Sequence, residues 1–210
     1  MVVTAVCYAC SPTGDALSLI ASLIGVTALI FLAKGHVLGQ FLIILFAILY
    51  AIISLEYRYY GELITYLGMT TPMAVWAAIQ WIRNPYRDSD EVRVARLTHC
   101  KIVCLGIFAV AVTVLFYFIL KALGNENLLL STLSVTTSFV AAALAALRSS
   151  YCSLGYAFND IVLIALWVMA SAEDIAYLSR VICFVVFLIN DAYGFINWRR
   201  MERRQRERRS

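Results

Sequence analysis

Seven long apolar runs constrain the fold of this chain more than any other feature of its sequence. Each run is about 20 residues long, which is the length that an α-helix needs to cross the hydrocarbon core of a bilayer. The runs lack the alternation of barrel strands, so we predict an all-α, polytopic bundle of seven transmembrane helices. The runs cover residues 16–33, 37–55, 60–82, 101–120, 128–147, 151–171 and 175–198.

The composition favours the same class of protein. Of 210 residues, 62% are hydrophobic and 14% are charged, whereas soluble domains carry roughly a quarter charged residues. A soluble fold of this size has no place to bury so much apolar side chain. Seven spans leave no room for a second sizeable domain, so we predict a single transmembrane domain over residues 1–210. The first 14 residues carry no Lys or Arg, and a secretory signal is therefore not expected.

Basic residues between the runs predict the orientation, because cytoplasmic loops are enriched in Lys and Arg. The loop after the third run is basic, and the tail over residues 199–210 carries seven arginines. We therefore expect a cytoplasmic C-terminus and, with seven spans, an N-terminus outside. Arg58 and Lys121 fall outside in this topology, which is a mild conflict. The basic loop residues are Arg83, Arg87, Arg93, Arg96 and Lys101.

The third and seventh runs end alike, which indicates an internal repeat. The third ends Ile-Gln-Trp-Ile-Arg at residues 79–83, and the seventh ends Ile-Asn-Trp-Arg-Arg at residues 196–200. Three helices leave the chain on the opposite side, and a fourth returns it, so both units run in the same direction. We predict a 3+1+3 arrangement: repeat one at 16–83, a linker helix at 101–120, repeat two at 128–199, and a basic cytoplasmic tail at 199–210.

Two polar pairs inside the apolar runs are the first candidates for function. An aspartate at the centre of a transmembrane helix costs ~2.5–3.5 kcal/mol on insertion scales, so it is rarely idle. Asn159-Asp160 and Asn190-Asp191 lie at similar distances from the cytoplasmic ends of the sixth and seventh runs. These runs cross the bilayer in opposite directions, so we expect both pairs in one layer. The aspartates could be substrate ligands, a proton relay, or partners that fix helix ends.

Helical spacing extends this polar layer, because residues at i, i+3 and i+7 share one helix face. This spacing relates Asn190, Tyr193 and Asn197 in the seventh run, and the repeat offset carries it to Trp76 and Gln80 in the third. Amides and aromatic faces suit a neutral, flat, polar ring with a hydroxylated appendage. The predicted substrate-binding residues are Tyr66, Trp76, Gln80, Tyr156, Asn159, Asp160, Asn190, Asp191, Tyr193 and Asn197.

Polar residues in spans also hold helices together, at ~0.6 kcal/mol per pair. We favour this interpretation for Thr132, Ser134, Thr136 and Thr137 in the fifth run, and an interfacial ion pair for Glu56, Arg58 and Glu62.

No catalytic motif is present. The sequence lacks H-E-x-x-H, G-x-S-x-G and the P-loop. Cys7 and Cys10 form a lone C-x-x-C without a second pair, which is a weak metal signal. Neither Asp160 nor Asp191 has the Y-D or G-x-G-D context of an intramembrane aspartyl protease. We therefore predict a small-molecule transporter rather than an enzyme, with no cofactor and no metal.

These residues resemble the PnuC-type vitamin transporters. The resemblance rests on the segment Asp-Ala-Tyr-Gly-Phe-Ile-Asn-Trp-Arg at residues 191–199, on Gln80-Trp81 at the end of the third run, and on Asn159. It extends over nearly the whole chain. In that family the sixth span carries W-x-x-W-x-x-N for substrate; here Asn159 matches, Tyr156 keeps an aromatic ring, and Ser153 replaces the first Trp.

The resemblance implies uptake of nicotinamide riboside by facilitated diffusion, with trapping through cytoplasmic phosphorylation by another protein. It also implies a homotrimer in a bacterial inner membrane. The departure at Ser153 leaves a deoxynucleoside, a nucleoside or a thiamine-like vitamin as alternative substrates. An ion-coupled transporter that uses Asp160 and Asp191, or an intramembrane enzyme, are the alternative mechanisms.

Overall fold

The computed structural model describes residues 16–56, 60–87, 89–125, 127–172 and 178–208. Cys7, Cys10 and Arg58 lie outside this part of the chain. A π-helical turn, Tyr66–Thr70, joins α3 to α4, so these three elements form one span, and each remaining helix forms another. The helices are α1 Ala16–Ala33, α2 Leu38–Glu56, α3 Tyr60–Thr65, α4 Thr71–Ile82, α5 His99–Ala122, α6 Leu128–Ala146, α7 Cys152–Ser171 and α8 Leu178–Glu207.

The length and apolar character of these helices agree with the predicted class. Within the described residues, α2, α5, α6, α7 and α8 are each long and apolar enough to cross a membrane, and α1 contributes the shorter apolar stretch Leu19–Ala33. The span formed by α3 and α4 is interrupted by the π-helical turn. The prediction of an all-helical membrane bundle is therefore confirmed.

Six of the spans close a ring, and α5 lies outside it. Around the ring, α1 packs on α2, α2 on α3 and α4, α4 on α6, α6 on α7, α7 on α8, and α8 on α1. The outer helix α5 packs on α6, where the hydroxyl oxygens of Thr113 and Thr136 lie 2.7 Å apart. The helix α5, which separates the two predicted units in sequence, is thus peripheral in space.

Two tryptophans connect the ring reciprocally. The indole N–H of Trp81, at the end of the third span, donates to the backbone oxygen of Ala145 in α6 at 2.8 Å. The indole N–H of Trp198 in α8 donates to the backbone oxygen of Leu32 in α1 at 3.0 Å. Both rings are fully buried and their centroids lie 5.6 Å apart. Each predicted unit therefore bonds, through its third span, to the first span of the other.

The turns after α1 and α6 have the same backbone hydrogen bonds. Gly35 and Arg148 both have left-handed backbone, with φ of 67° and 58°. The following residue caps the next helix in both turns: Nδ1 of His36 accepts from the N–H of Leu38, and Oγ of Ser149 accepts from the N–H of Tyr151. These parallels support the predicted two-unit arrangement at the level of backbone geometry.

Pro72 accounts for the π-helical turn in the third span. A proline inside a helix has no N–H for the carbonyl four residues before it, and its ring clashes with that carbonyl. The chain responds with a wider turn just before the proline, where the N–H and the hydroxyl of Thr71 both donate to the backbone oxygen of Tyr66. Such π-bulges are often found at functional sites.

The last helix continues beyond Trp198, where the sequence predicts that the seventh span ends. Helix α8 extends to Glu207, so residues 199–207 of the predicted basic tail form a docked helix end. It packs on a short hairpin of strands β1 Pro85–Tyr86 and β2 Ser89–Val92. Arg, Glu and Gln are good helix formers, although their charge ends the apolar run. Met201, Glu202 and Gln205 are buried, and the side-chain amide of Gln205 bonds the backbone of Val92 and Val94.

Candidate substrate site in the centre of the bundle

The two aspartates meet where α7 and α8 pack together. Asp160 and Asp191 are each 5% exposed, and their side chains lie close enough to interact electrostatically. The opposite directions of the two helices predict this meeting. Oδ2 of Asp160 is buried and has no hydrogen-bond partner. Unpartnered buried polar atoms are costly, so this oxygen is a free acceptor in a dry environment, as a ligand-binding layer requires.

Three asparagines line the same region, and each bonds a neighbouring helix. The side-chain oxygen of Asn159 accepts from the hydroxyl of Thr137 in α6 at 2.9 Å. The amide of Asn190 donates to the backbone oxygen of Leu29 at 3.4 Å, and that of Asn197 donates to Ala33 at 2.9 Å. Thr137 therefore holds helices together, as predicted. The long contact of Asn190 leaves this amide the most available of the three for a ligand.

A glycine sets the spacing between α7 and α8. A Cβ at Gly194 would lie 2.8 Å from Oγ of Ser153, so a side chain here would force the helices apart. A cavity of about 10 Å³ lies beside these residues, lined in part by Ser153, Tyr156 and Asp191. This volume suits one water molecule. The polar layer is thus closed in this conformation, and a larger ligand requires the helices to separate.

The structure places other predicted site residues away from this layer. Tyr193 is 53% exposed and Trp76 is 40% exposed, so neither belongs to the buried layer. Each lies two residues from a buried position, Asp191 and Ala74, and two residues correspond to about 200° around a helix. Gln80 is half-buried, and its backbone oxygen accepts from Asn84 at 2.8 Å. Tyr193 shares α8 with the layer, whereas Trp76 and Gln80 lie on α4.

Tyr66 belongs to a second cluster, which spacing alone did not predict. Its ring lies 4.8 Å from that of Tyr50, between centroids. Oε2 of Glu62 accepts from Ser54 at 3.5 Å, and Arg180 lies close enough to Glu62 to interact electrostatically. The guanidinium of Arg180 stacks on Trp167 at 4.2 Å. A lone arginine inside the seventh apolar run was the available signal, because charged residues in spans are rare and functional.

A closed ring of apolar spans around a buried polar layer, as the described residues form it, is typical of a multi-pass membrane protein that carries small solutes. Comparison with known proteins gives the family. A family model described as nicotinamide mononucleotide transporter matches residues 15–200. The chain therefore belongs to the nicotinamide mononucleotide transporter family, and the resemblance to PnuC-type transporters is confirmed.

Two relatives and one solved structure support this membership. The chain is 25% identical over 193 residues to the nicotinamide riboside transporter PnuC of Neisseria mucosa, covering 90% of this chain and 73% of that protein. It is also 25% identical over 190 residues to the protein of the same name in Haemophilus influenzae, covering 90% and 81%. A crystal structure of the vitamin B3 transporter PnuC shares the fold, with a TM-score of 0.77, 24% identity, and coverage of 97% of this chain and 88% of that one.

Proposed function

We propose that this transporter carries nicotinamide riboside into the cell by facilitated diffusion. The family assignment and the names of the two relatives support this substrate. The observation that carries the proposal is the meeting of Asp160 and Asp191 in a buried layer with Asn159 and Asn190. Carboxyl and amide groups in a dry site recognise ring edges and sugar hydroxyls.

The acidic pair discriminates between the riboside and its phosphate ester. Nicotinamide riboside carries a positively charged pyridinium ring, which a carboxylate stabilises at close range. The mononucleotide adds a phosphate with a charge of about −1.5 to −2, and a buried carboxylate repels it. The layer around Asp160 and Asp191 therefore favours the riboside. The positive charge of this ring differs from the neutral ring that the sequence analysis suggested, because that interpretation rested on the amides and aromatic rings and not on the two aspartates.

Uptake into proteoliposomes tests the substrate assignment. We expect the wild-type protein to equilibrate labelled nicotinamide riboside across the membrane, and we expect Asn159→Ala to abolish uptake while the protein stays folded. Asn125, an exposed loop residue after α5, provides the matched control, and Asn125→Ala is expected to retain full uptake. Normal uptake by folded Asn159→Ala would contradict the proposal. Competition by thiamine and by a panel of nucleosides and deoxynucleosides tests the alternative substrates.

Proton coupling is the second candidate mechanism, and one observation favours it. Two carboxyl groups that share a buried site do not readily carry charge at the same time, so the pair of Asp160 and Asp191 offers a place for one exchangeable proton inside the bundle. Collapsing the proton and sodium gradients separates the two mechanisms. In vesicles held at zero membrane potential, a uniporter fills the vesicles to the external concentration of the substrate cation whatever the proton and sodium gradients. Accumulation above that concentration, lost with the proton gradient, would replace facilitated diffusion with proton coupling.

The remaining expectations form part of this proposal. We propose an inner-membrane homotrimer with the N-terminus outside and the C-terminus cytoplasmic, and a cytoplasmic kinase that traps the substrate. The density of arginine at the end of the bundle that holds Arg93, Arg148 and Arg199 supports this orientation. Single-cysteine labelling from either side of intact membranes tests the orientation, and native mass spectrometry tests the trimer.

A further inference from the structure

A second cavity, larger than the one beside Asp191, lies at the end of the bundle that we propose to be cytoplasmic. Its volume is about 380 Å³, which lies within the range of small-molecule sites. Three segments form its walls: the loop between α4 and α5, the turn between α6 and α7, and the end of α8. The lining residues are Asn84, Arg93, Val94, Ala95, Arg96, Arg148, Glu202, Gln205 and Arg206.

The charge of this cavity is strongly unbalanced. Four of its lining residues are arginines, and one, Glu202, is acidic. Glu202 is already bound, because its carboxylate pairs with Arg199 and Arg206 and accepts from the hydroxyl of Ser150 at 2.8 Å. Within the described part of the chain, Arg93, Arg96 and Arg148 have no carboxylate within ion-pair distance. These three arginines therefore line the cavity without a compensating carboxylate among the described residues.

Backbone contacts bring these arginines together, and the backbone of Arg148 is conformationally strained. Arg148 has a φ of 58°, a conformation that the equivalent turn assigns to Gly35, and left-handed backbone at a residue with a side chain costs about 1–3 kcal/mol. Its guanidinium contacts the backbone oxygen of Arg93, and its own backbone oxygen accepts from the N–H of Ala95 at 2.9 Å. Burial, and secondly the charge of Arg93, lower the pKa of Arg148. Such strain and like-charge crowding mark functional sites.

We propose that this cavity binds a phosphate group carried by a small sugar phosphate or by an anionic lipid headgroup. Arginine forks match phosphate oxygens bidentately, and three unpaired guanidinium groups can neutralise one phosphate dianion. The ligand would contact Arg148 of the second unit and Arg93 and Arg96 of the loop that follows the first. Its binding would hold the two units together at this end of the bundle. The site is independent of the polar layer around Asp160 and Asp191.

Calorimetry on the purified full-length protein, in detergent without anionic lipid, tests the site with ribose 5-phosphate, and with ribose as the uncharged control. We expect saturable binding of ribose 5-phosphate and none of ribose. Arg93→Gln/Arg96→Gln is expected to raise the Kd at least tenfold, because hydrogen bonds to charged groups contribute that much or more. Arg148→Asn is expected to do the same; asparagine tolerates left-handed backbone, so the turn is preserved.

Arg200→Gln is the matched control, since Arg200 is an exposed arginine of α8 that does not line the cavity. We expect its Kd to equal that of the wild type. Failure of the wild type to bind ribose 5-phosphate would overturn the proposal, and so would an equal loss in Arg200→Gln, which would indicate non-specific attraction to a basic surface. Neither result bears on riboside uptake, which is measured separately.

A membrane comparison identifies the source of the phosphate. The same titration is made in nanodiscs of phosphatidylcholine and in nanodiscs that also contain phosphatidylglycerol. If phosphatidylglycerol displaces ribose 5-phosphate from the wild type, a lipid headgroup occupies the cavity. If both nanodiscs give the same Kd, the ligand is a soluble phosphate. Either result supports phosphate binding by these arginines.

Discussion

The two predicted three-span units of this transporter share the geometry of their turns and their buried tryptophans but differ in the middle of the third span. Counted back from Trp81, the buried positions four and seven residues before it are Ala77 and Ala74. Counted back from Trp198, the same positions are Gly194 and Asp191. One unit therefore presents small apolar residues where the other presents a carboxylate and a close helix contact.

The features that the two units share are structural, whereas the features that differ include the buried polar side chains. The shared features lie at the end of the ring that holds both tryptophans, where Gly35 and Arg148 close equivalent turns. The differing features lie deeper in the bundle, where only the second unit carries the aspartate and asparagine pairs. The first unit instead has the π-helical turn before Pro72. The two predicted units therefore share their turns and tryptophans, while the second unit alone supplies the aspartates and asparagines of the polar layer.

The largest expected effect tests whether Trp81 and Trp198 contribute equally to stability. We expect Trp81→Ala and Trp198→Ala each to lower the free energy of unfolding by about 3–5 kcal/mol, because each removes a fully buried ring. Reversible unfolding in mixed detergent micelles measures both. The ring centroids are 5.6 Å apart, so the double variant should lose less than the sum. A large cost at one tryptophan alone would show that the units are not equivalent.

The next effect tests whether uptake depends on the polar residues of the second unit alone. We expect Asp191→Asn to lower the initial rate of nicotinamide riboside uptake by about 10-fold to 100-fold, in line with about 1.5–3 kcal/mol for hydrogen bonds to charged groups. Ala74→Ser, a small change at the equivalent position of the first unit, should leave the rate within about twofold. Equal losses in the two variants would place the substrate between both units symmetrically.

A smaller effect concerns the turn after α1. Gly35→Ala should lower the free energy of unfolding by about 1–3 kcal/mol, because φ at this residue is +67° and the new Cβ would lie 2.6 Å from Cε of Met201. Gly106→Ala is the control, since a Cβ at Gly106 meets nothing within 4 Å. Detergent unfolding measures both variants. If Gly35→Ala and Gly106→Ala changed the free energy of unfolding equally, α8 would be packed only loosely on this turn.

The smallest effect concerns the equivalent turn after α6. Arg148→Gly should raise the free energy of unfolding by about 0.5–1 kcal/mol, since glycine adopts left-handed backbone without a Cβ penalty. It should also weaken binding of ribose 5-phosphate. Stabilisation combined with weaker binding would show that the arginine is kept for its charge. Destabilisation would mean that its contacts with Arg93 and Ala95 outweigh the strain.

The sequence predicted the spans and the meeting of the aspartates, because hydropathy and helix direction depend on local composition. It did not predict which face of each helix is buried. Tyr193 and Trp76 satisfied an i+3 spacing from polar residues, yet the buried faces run through Asp191 and Ala74, about 200° away from them. Only contacts between helices decide that choice. The π-helical turn had a visible signal in Pro72.

The docked end of α8 was missed for a different reason. Charge ends an apolar run, so hydropathy places the end of the span at Trp198, whereas the helix continues to Glu207. The partners that bury Gln205 and Glu202 lie more than 50 residues away along the chain, on β2 and on Ser150. Tertiary contacts of this kind leave no local pattern.

The reciprocal indole hydrogen bonds limit which substitutions this protein can accumulate during evolution. Each bond ends on a backbone oxygen, of Ala145 or of Leu32, and every amino acid supplies that oxygen. The receiving positions can therefore exchange side chains freely, subject to size, while the donors cannot. Sequence similarity between the two predicted units is therefore expected to persist longest at Trp81 and Trp198.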